Sequence, residues 1–168
     1  ACAPLLLLRA AAAGELQVSS CVQLFGTDQL VLGSWDQRLY IYSVGRGKVI
    51  ETRQAHDDAV SCLEGSWCAR EAEGPPAATA NGPGTTPPSS ASHVLESGSW
   101  DSTVRLWPLL PTGLAPTPLR TLGEHEARVT CVALLPTDLR LAASGSAGGD
   151  VALWDARKPV PLCSSAHI

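Results

Sequence analysis

The chain has 168 residues, a formal net charge of −4 and 12 basic residues spread along its length. That length suits a domain with a sizeable core, and scattered cations leave no electrostatic footprint for nucleic acid, so nucleic acid is not an expected partner. The six cysteines form no Cys-x-x-Cys pair and no Cys/His spacing for zinc; no metal, cofactor or disulfide framework is expected, and a reducing compartment fits.

Residues 1–14 read as a leader or a fragment boundary. The run Leu5–Leu8 is apolar, but Arg9 interrupts it and no basic segment precedes it. It is far shorter than the roughly 20 residues that span a bilayer, so no transmembrane segment is expected.

Residues 15–54 carry four predicted strands. The stretch 16–24 alternates apolar and polar residues, 29–33 follows a Gly-Thr-Asp turn, 38–43 is rich in aromatic and β-branched residues, and 48–53 follows Gly45-Arg-Gly47. Residues 55–123 repeat the pattern at 59–65, 93–98, 103–107 and 118–122. Between the first two of those strands, 71–92 holds five Pro and three Gly and no large apolar side chain. Such a stretch cannot bury enough surface to offset its ordering entropy and is expected to be a disordered insertion. It is either a tolerated surface loop with no further role or a regulatory tail, with Thr85, Thr86, Ser89 and Ser90 as its candidate modification sites. Residues 124–163 supply the third set, at 128–134, 140–145, 150–154 and 160–163, and 164–168 ends in Ala166-His167.

The rhythm is a repeat. Gly33-Ser-Trp-Asp-Gln-Arg-Leu-Tyr-Ile-Tyr42, Gly98-Ser-Trp-Asp-Ser-Thr-Val-Arg-Leu-Trp107 and Gly145-Ser-Ala-Gly-Gly-Asp-Val-Ala-Leu-Trp154 are three versions of one segment. Without leader and insertion each repeat has about 44 residues, inside the roughly 40–45 of a four-stranded propeller blade. The expected fold is therefore all-β, an incomplete β-propeller of about three four-stranded blades. Closed propellers have about four to eight blades. Three cannot close a ring, so the chain is expected to be a piece of a larger protein, with 164–168 opening a fourth repeat. Alone it should self-associate through uncovered sheet faces. Ser20-Cys21, Ser61-Cys62 and Thr130-Cys131 read as one recurring point, which predicts that these cysteines are small buried core residues.

These segments resemble WD repeats, with Ala55-His56 and Glu124-His125 before the first strand of a blade and Trp107 and Trp154-Asp155 at the end of its third. Ser34-Trp-Asp36, Ala55-His-Asp-Asp-Ala-Val-Ser61 and the 98–107 segment are similar, more narrowly, to BEACH–WD-repeat proteins. The resemblance implies a buried hydrogen-bonded set within a blade, filled in the second repeat by His56, Ser97, Asp101 and Trp107. The third repeat has His125, Ser144 and Trp154 but Gly148 in the Asp place. The first has Asp36 with Leu32 and Tyr42, and both of these blades are expected to be less rigid. A His-Ser-Asp trio also occurs in hydrolases, yet no Gly-x-Ser-x-Gly elbow or oxyanion loop accompanies it, so no enzyme is expected.

The resemblance places the turns at Asp36 and Asp101 and the loop of His56 on one rim. Trp35 and Trp100 there form either a partner-binding pair or packing between blades, and Asp57 and Asp58 beside them would suit a basic partner. What the resemblance implies overall is a cytoplasmic, membrane-proximal adaptor whose partners are proteins, such as a receptor tail. The alternative is a substrate receptor of a ubiquitin ligase or another multiprotein complex.

Overall fold

The computed structural model of the chain describes residues 16–24, 27–67, 93–110, 113–123, 125–135, 141–155, 158 and 161–165. The leader, the 71–92 insertion and Ala166-His167 lie outside them. Every described element is a strand, and the strands make three antiparallel sheets in chain order.

The first sheet is β1 (Val18–Gln23), β2 (Gln29–Ser34), β3 (Arg38–Ser43) and β4 (Lys48–Gln54), paired in that sequence. Its third strand alternates Leu39 and Ile41, both buried, with the polar or half-buried Arg38, Tyr40 and Tyr42, the period-2 pattern of a sheet covered on one face. The second sheet is β5 (Val60–Trp67), β6 (His93–Ser99) and β7 (Thr103–Leu110), with two short strands on the far edge of β7. β8 (Gly113–Leu114) pairs with Leu109–Leu110, and β9 (Arg120–Gly123) pairs with Thr103–Leu106. The outer place is thus divided between two pieces, of which only the second was expected from sequence. The third sheet is β10 (Val129–Leu134), β11 (Leu141–Ser146), β12 (Val151–Asp155) and β13 (Pro161–Ser165). β13 already includes Ser164 and Ser165, which the sequence reading assigned to a further repeat.

The sheets stack face to face in two layers of core. Leu24, Val31, Leu39 and Ile41 of the first meet Val60, Leu95, Trp107 and Leu109 of the second. Val94, Val104, Leu106 and Leu122 of the second meet Val129, Leu134, Ala142 and Trp154 of the third. Trp107 and Trp154 are among the largest fully buried side chains. Burying each indole contributes on the order of several kcal/mol at about 25 cal/mol per Å².

Each sheet opens with the same irregularity. The pairing of the first and second strands slips after Val18, after Val60 and after Val129, so that Ser19, Ser61 and Thr130 are the extra, bulged residues. This shifts the expected alignment by one. Ser20, Cys62 and Cys131 are equivalent, each beside the glycine at Gly33, Gly98 or Gly145, and Cys21 is not one of the set. It also corrects the expectation that the three cysteines are core. Cys21 and Cys131 are exposed and Cys62 is half-buried, because the first strand of a sheet is an edge strand, covered by another sheet on part of its surface only. Burial pushes the Cys62 thiol up to about 11.

Candidate functional site

The tight turn between the second and third strands of each sheet is built alike. A serine hydroxyl, Ser34, Ser99 or Ser146, accepts the amide two residues on, at 3.3, 3.1 and 3.1 Å. The next turn residue has a left-handed backbone: Gln37 (φ 73°), Ser102 (φ 67°) and Gly149 (φ 89°). Only the third repeat has the glycine that relieves this conformation.

In the second sheet that turn presents Asp101 to His56, which sits on the loop between β4 and β5. His56 Nδ1 lies 2.9 Å from Asp101 Oδ2, and His56 Nε2 lies 2.8 Å from Ser97 Oγ. The Trp107 indole N–H donates to the same hydroxyl at 2.9 Å. A single chain of donors satisfies all four groups: Trp107 to Ser97, Ser97 to His56 Nε2, His56 Nδ1–H to Asp101. Asp101 further accepts the Thr103 amide and hydroxyl and the Asp57 amide. Burial opposes ionisation of Asp101, but the hydrogen bonds from His56, Thr103 and Asp57 outweigh it and hold the carboxyl well below the usual carboxylate range. His56 and Ser97 have no exposed surface. The connectivity matches a catalytic triad, yet the hydroxyl is enclosed and saturated by the indole and the imidazole, with no approach for an electrophile.

The third sheet repeats half of this. Trp154 donates to Ser144 Oγ at 2.6 Å, and Ser144 lies 2.7 Å from His125 Nε2. Gly148 occupies the turn place of Asp101. A carboxylate acts on His125 nonetheless, from Asp150 two residues further along, the place of Thr103 in the second sheet. Burial lowers the His125 pKa and Asp150 partly opposes it. In the first sheet Tyr40 donates to Asp36 Oδ2, a pairing that sequence reasoning missed.

The same turns carry the exposed indoles. Ala55 and His56 donate their amides to Gln37 O, which puts the β2–β3 turn and the His56 loop on one rim. Trp35 and Trp100 lie there with ring centroids 5.9 Å apart and planes tilted by 36°. They pack on each other and still stay 51% and 39% exposed. Arg128, from the loop before β10, covers the Trp100 ring at 5.2 Å, a cation–π contact. Asp57 and Asp58 are exposed beside them, but Asp57 pairs with Arg105 at 3.0 Å. With Arg105 and Arg128 present, the rim is mixed in charge rather than acidic.

One residue stands out that the sequence did not mark. Glu96 of β6 has no exposed surface, and among the described residues neither carboxyl oxygen meets a hydrogen-bond donor. It shares the β6 face of Val94 and Gly98, turned toward the third sheet. Burial first, and Glu64 opposite it second, push its carboxyl up to about 9. Val31 and Ala143 hold the equivalent places, so an alternation pattern alone had nothing to flag.

Residues 83–108 and 116–155 match the family described as WD domain, G-beta repeat. The chain is 26% identical over 154 residues to BEACH domain-containing protein B of Arabidopsis thaliana, covering 80% of this chain and 5% of that protein. It is 26% identical over 155 residues to the ribosome biogenesis protein WDR12 homolog of Chlamydomonas reinhardtii, covering 92% of this chain and 30% of that protein. It therefore spans less than a third of either relative. The computationally designed Ika8 protein has a similar fold, with a TM-score of 0.61 at 17% identity over 90% of this chain and 37% of that one. The residues matched to that family lie in the second and third sheets, and the three four-stranded antiparallel sheets together are consistent with an incomplete β-propeller.

Proposed function

We propose that this chain, a WD-repeat arc of three blades, is a non-catalytic scaffold that captures protein partners on the rim of Trp35 and Trp100. The observation that carries the reading is the pair of half-exposed indoles, packed on each other and backed by Arg128. Aromatic side chains held rigid at a surface give large contact area at little entropic cost, and Trp and Arg are the residues most enriched at binding hot spots. With Asp57, Asp58, Arg105 and Arg128 around it, the rim suits a partner segment of mixed charge with an apolar anchor. The likeness to a BEACH-domain protein, and to the propeller of the factor associated with neutral sphingomyelinase activation, supports a cytoplasmic adaptor between a membrane receptor tail and signalling or membrane traffic. The likeness to a ribosome biogenesis protein supports the second reading, a subunit of another multiprotein complex.

A panel of immobilised receptor-tail peptides, probed with the wild-type chain and with Trp35→Ala and Trp100→Ala, tests the reading. Losing a hot-spot indole costs about 2 kcal/mol or more, roughly a 30-fold loss of affinity. Both variants should lose capture and melt as the wild type does. Early melting together with unchanged capture would overturn the rim as the binding site.

A further inference from the structure

The tight turn of each sheet hangs from the segment before that sheet's first strand by the same backbone bond. The amides of Trp35, Trp100 and Ala147 donate to the carbonyls of Gln17, Ala59 and Arg128, at 3.0, 3.0 and 2.9 Å. Trp35, Trp100 and Ala147 therefore hold one place in successive blades. Where the first and second blades meet, the two indoles at that place pack on each other. Where the second and third meet, the third blade offers only the methyl group of Ala147, and the Arg128 guanidinium lies over the Trp100 ring instead, 5.2 Å from its centroid. The row along the rim runs indole, indole, guanidinium. Its cationic end stands between the second and third sheets, each of which is described.

Arg128 is exposed, and among the described residues its guanidinium makes no hydrogen bond and no ion pair. Arg105, the other rim cation, is already engaged by Ala55 O at 2.7 Å, Asp57 at 3.0 Å and Asp101 at 3.7 Å, so those two carboxylates are compensated. A guanidinium resting on an indole keeps its N–H groups, a planar fork that matches a carboxylate through two parallel hydrogen bonds. The ring contact also restrains the side chain beforehand, which leaves less rotamer entropy to lose when an anion arrives. Asp58 and Glu126 are exposed in the loops on either side. They repel a run of acidic residues, so the complement of this surface is one carboxylate and not several.

We infer that the rim recognises a peptide segment bearing one Asp or Glu next to a large apolar side chain, an inference that rests on the rim being the surface that captures protein partners. The carboxylate pairs with Arg128, and the apolar side chain packs on the indoles of Trp100 and Trp35. The indoles supply contact area to any apolar anchor. Arg128 sets which segments are taken, because a neutral or basic residue at the same place leaves its charge unpaired.

Selecting a random peptide library displayed on phage against the immobilised 168-residue chain, and against its Arg128→Glu and Trp100→Ala variants, tests this. Both side chains are exposed, and the bond from the Ala147 amide to Arg128 O does not use the Arg128 side chain; near-UV circular dichroism checks that the buried indoles stay packed. Peptides taken by the wild type should be enriched in Asp or Glu next to Trp, Phe, Tyr or Leu. Arg128→Glu should exchange that acid for Lys or Arg, and Trp100→Ala should retain neither class. Changing the acid of one selected peptide to Gln should weaken its binding to the wild type about tenfold or more, as expected for a hydrogen bond between charged groups. The same change should alter binding to Arg128→Gln by less than about twofold, because the pair is already broken there. Peptides that depend on Trp100 but show no preference for an acid, or the same acids selected by Arg128→Glu, overturn this inference and leave the rim as a capture surface. A selection that yields no Trp100-dependent peptide overturns both.

Discussion

Replacing Ser97 with Ala removes one oxygen and strands two buried groups. The hydroxyl is the acceptor for the Trp107 indole N–H at 2.9 Å and the partner of His56 Nε2 at 2.8 Å, and all three residues are enclosed. A buried polar group left without a partner costs about 1–3 kcal/mol, so two such groups cost about 4 kcal/mol at the middle of that range. That is a large part of the roughly 5–15 kcal/mol by which domains are stable, and corresponds to a melting temperature lowered by roughly 10 °C. Urea unfolding followed by tryptophan fluorescence, at one fixed chain concentration, measures it. Trp107→Phe supplies the control, because the phenyl ring fills much of the space but has no N–H to strand. In the double variant the Ser97→Ala cost should shrink by about 1–2 kcal/mol, the coupling expected for residues in one network. A Ser97→Ala cost below about 1 kcal/mol, or strict additivity with Trp107→Phe, would refute the view that this hydrogen-bonded chain anchors the second blade.

Two further predictions concern the joint between the second and third blades. The native chain keeps Glu96 protonated up to about pH 9, whereas the unfolded chain releases that proton near 4.5. The folded state therefore binds the extra proton, and stability should fall as pH rises through that window, by up to about 1.4 kcal/mol per unit. Asp101 and His125, whose pKa values are lowered, act on the acid side of neutrality, and Cys62 titrates above pH 9. Urea midpoints from pH 7 to pH 9 consequently isolate Glu96, and Glu96→Gln should flatten the slope; an unchanged slope contradicts the assignment. Gly98→Ala should destabilise the chain by about 1–3 kcal/mol through overpacking, because its Cβ would lie 2.6 Å from Cys62 Sγ and 2.7 Å from Val129. Gly145→Ala should cost less to unfolding, since among the described residues only the exposed Cys131 crowds it closely; equal costs in thermal melts would deny that the valine facing Gly98 makes the difference.

The strand positions were legible because turn residues and alternating apolar residues bracket nearly every one, and Trp107 and Trp154 marked equivalent buried places. The cysteines were misread for a definite reason. A bulge adds one residue without changing local composition, so Ser20-Cys21 looked aligned with Ser61-Cys62 while the pairing slips after Val18 and after Val60. The carboxylate whose charge acts on His125 was missed because Asp150 stands two places beyond the expected turn position. β8 is only two residues long and gives no periodic signal. Trp35 and Trp100 were seen as neighbours on one rim, but whether they would stay exposed depends on how closely two blades approach, a distance that no spacing within one blade encodes.

Trp107 and Trp154 occupy the same buried place in successive blades, while Trp35 and Trp100 face solvent. Hydrogen exchange of the indole N–H groups by nuclear magnetic resonance addresses this directly, since protection reports how well each N–H is enclosed and bonded. The Trp107 and Trp154 signals should exchange slowly and alike, and those of Trp35 and Trp100 much faster. Fast exchange at Trp107 or Trp154, comparable to the rim indoles, would contradict the stacked-blade reading.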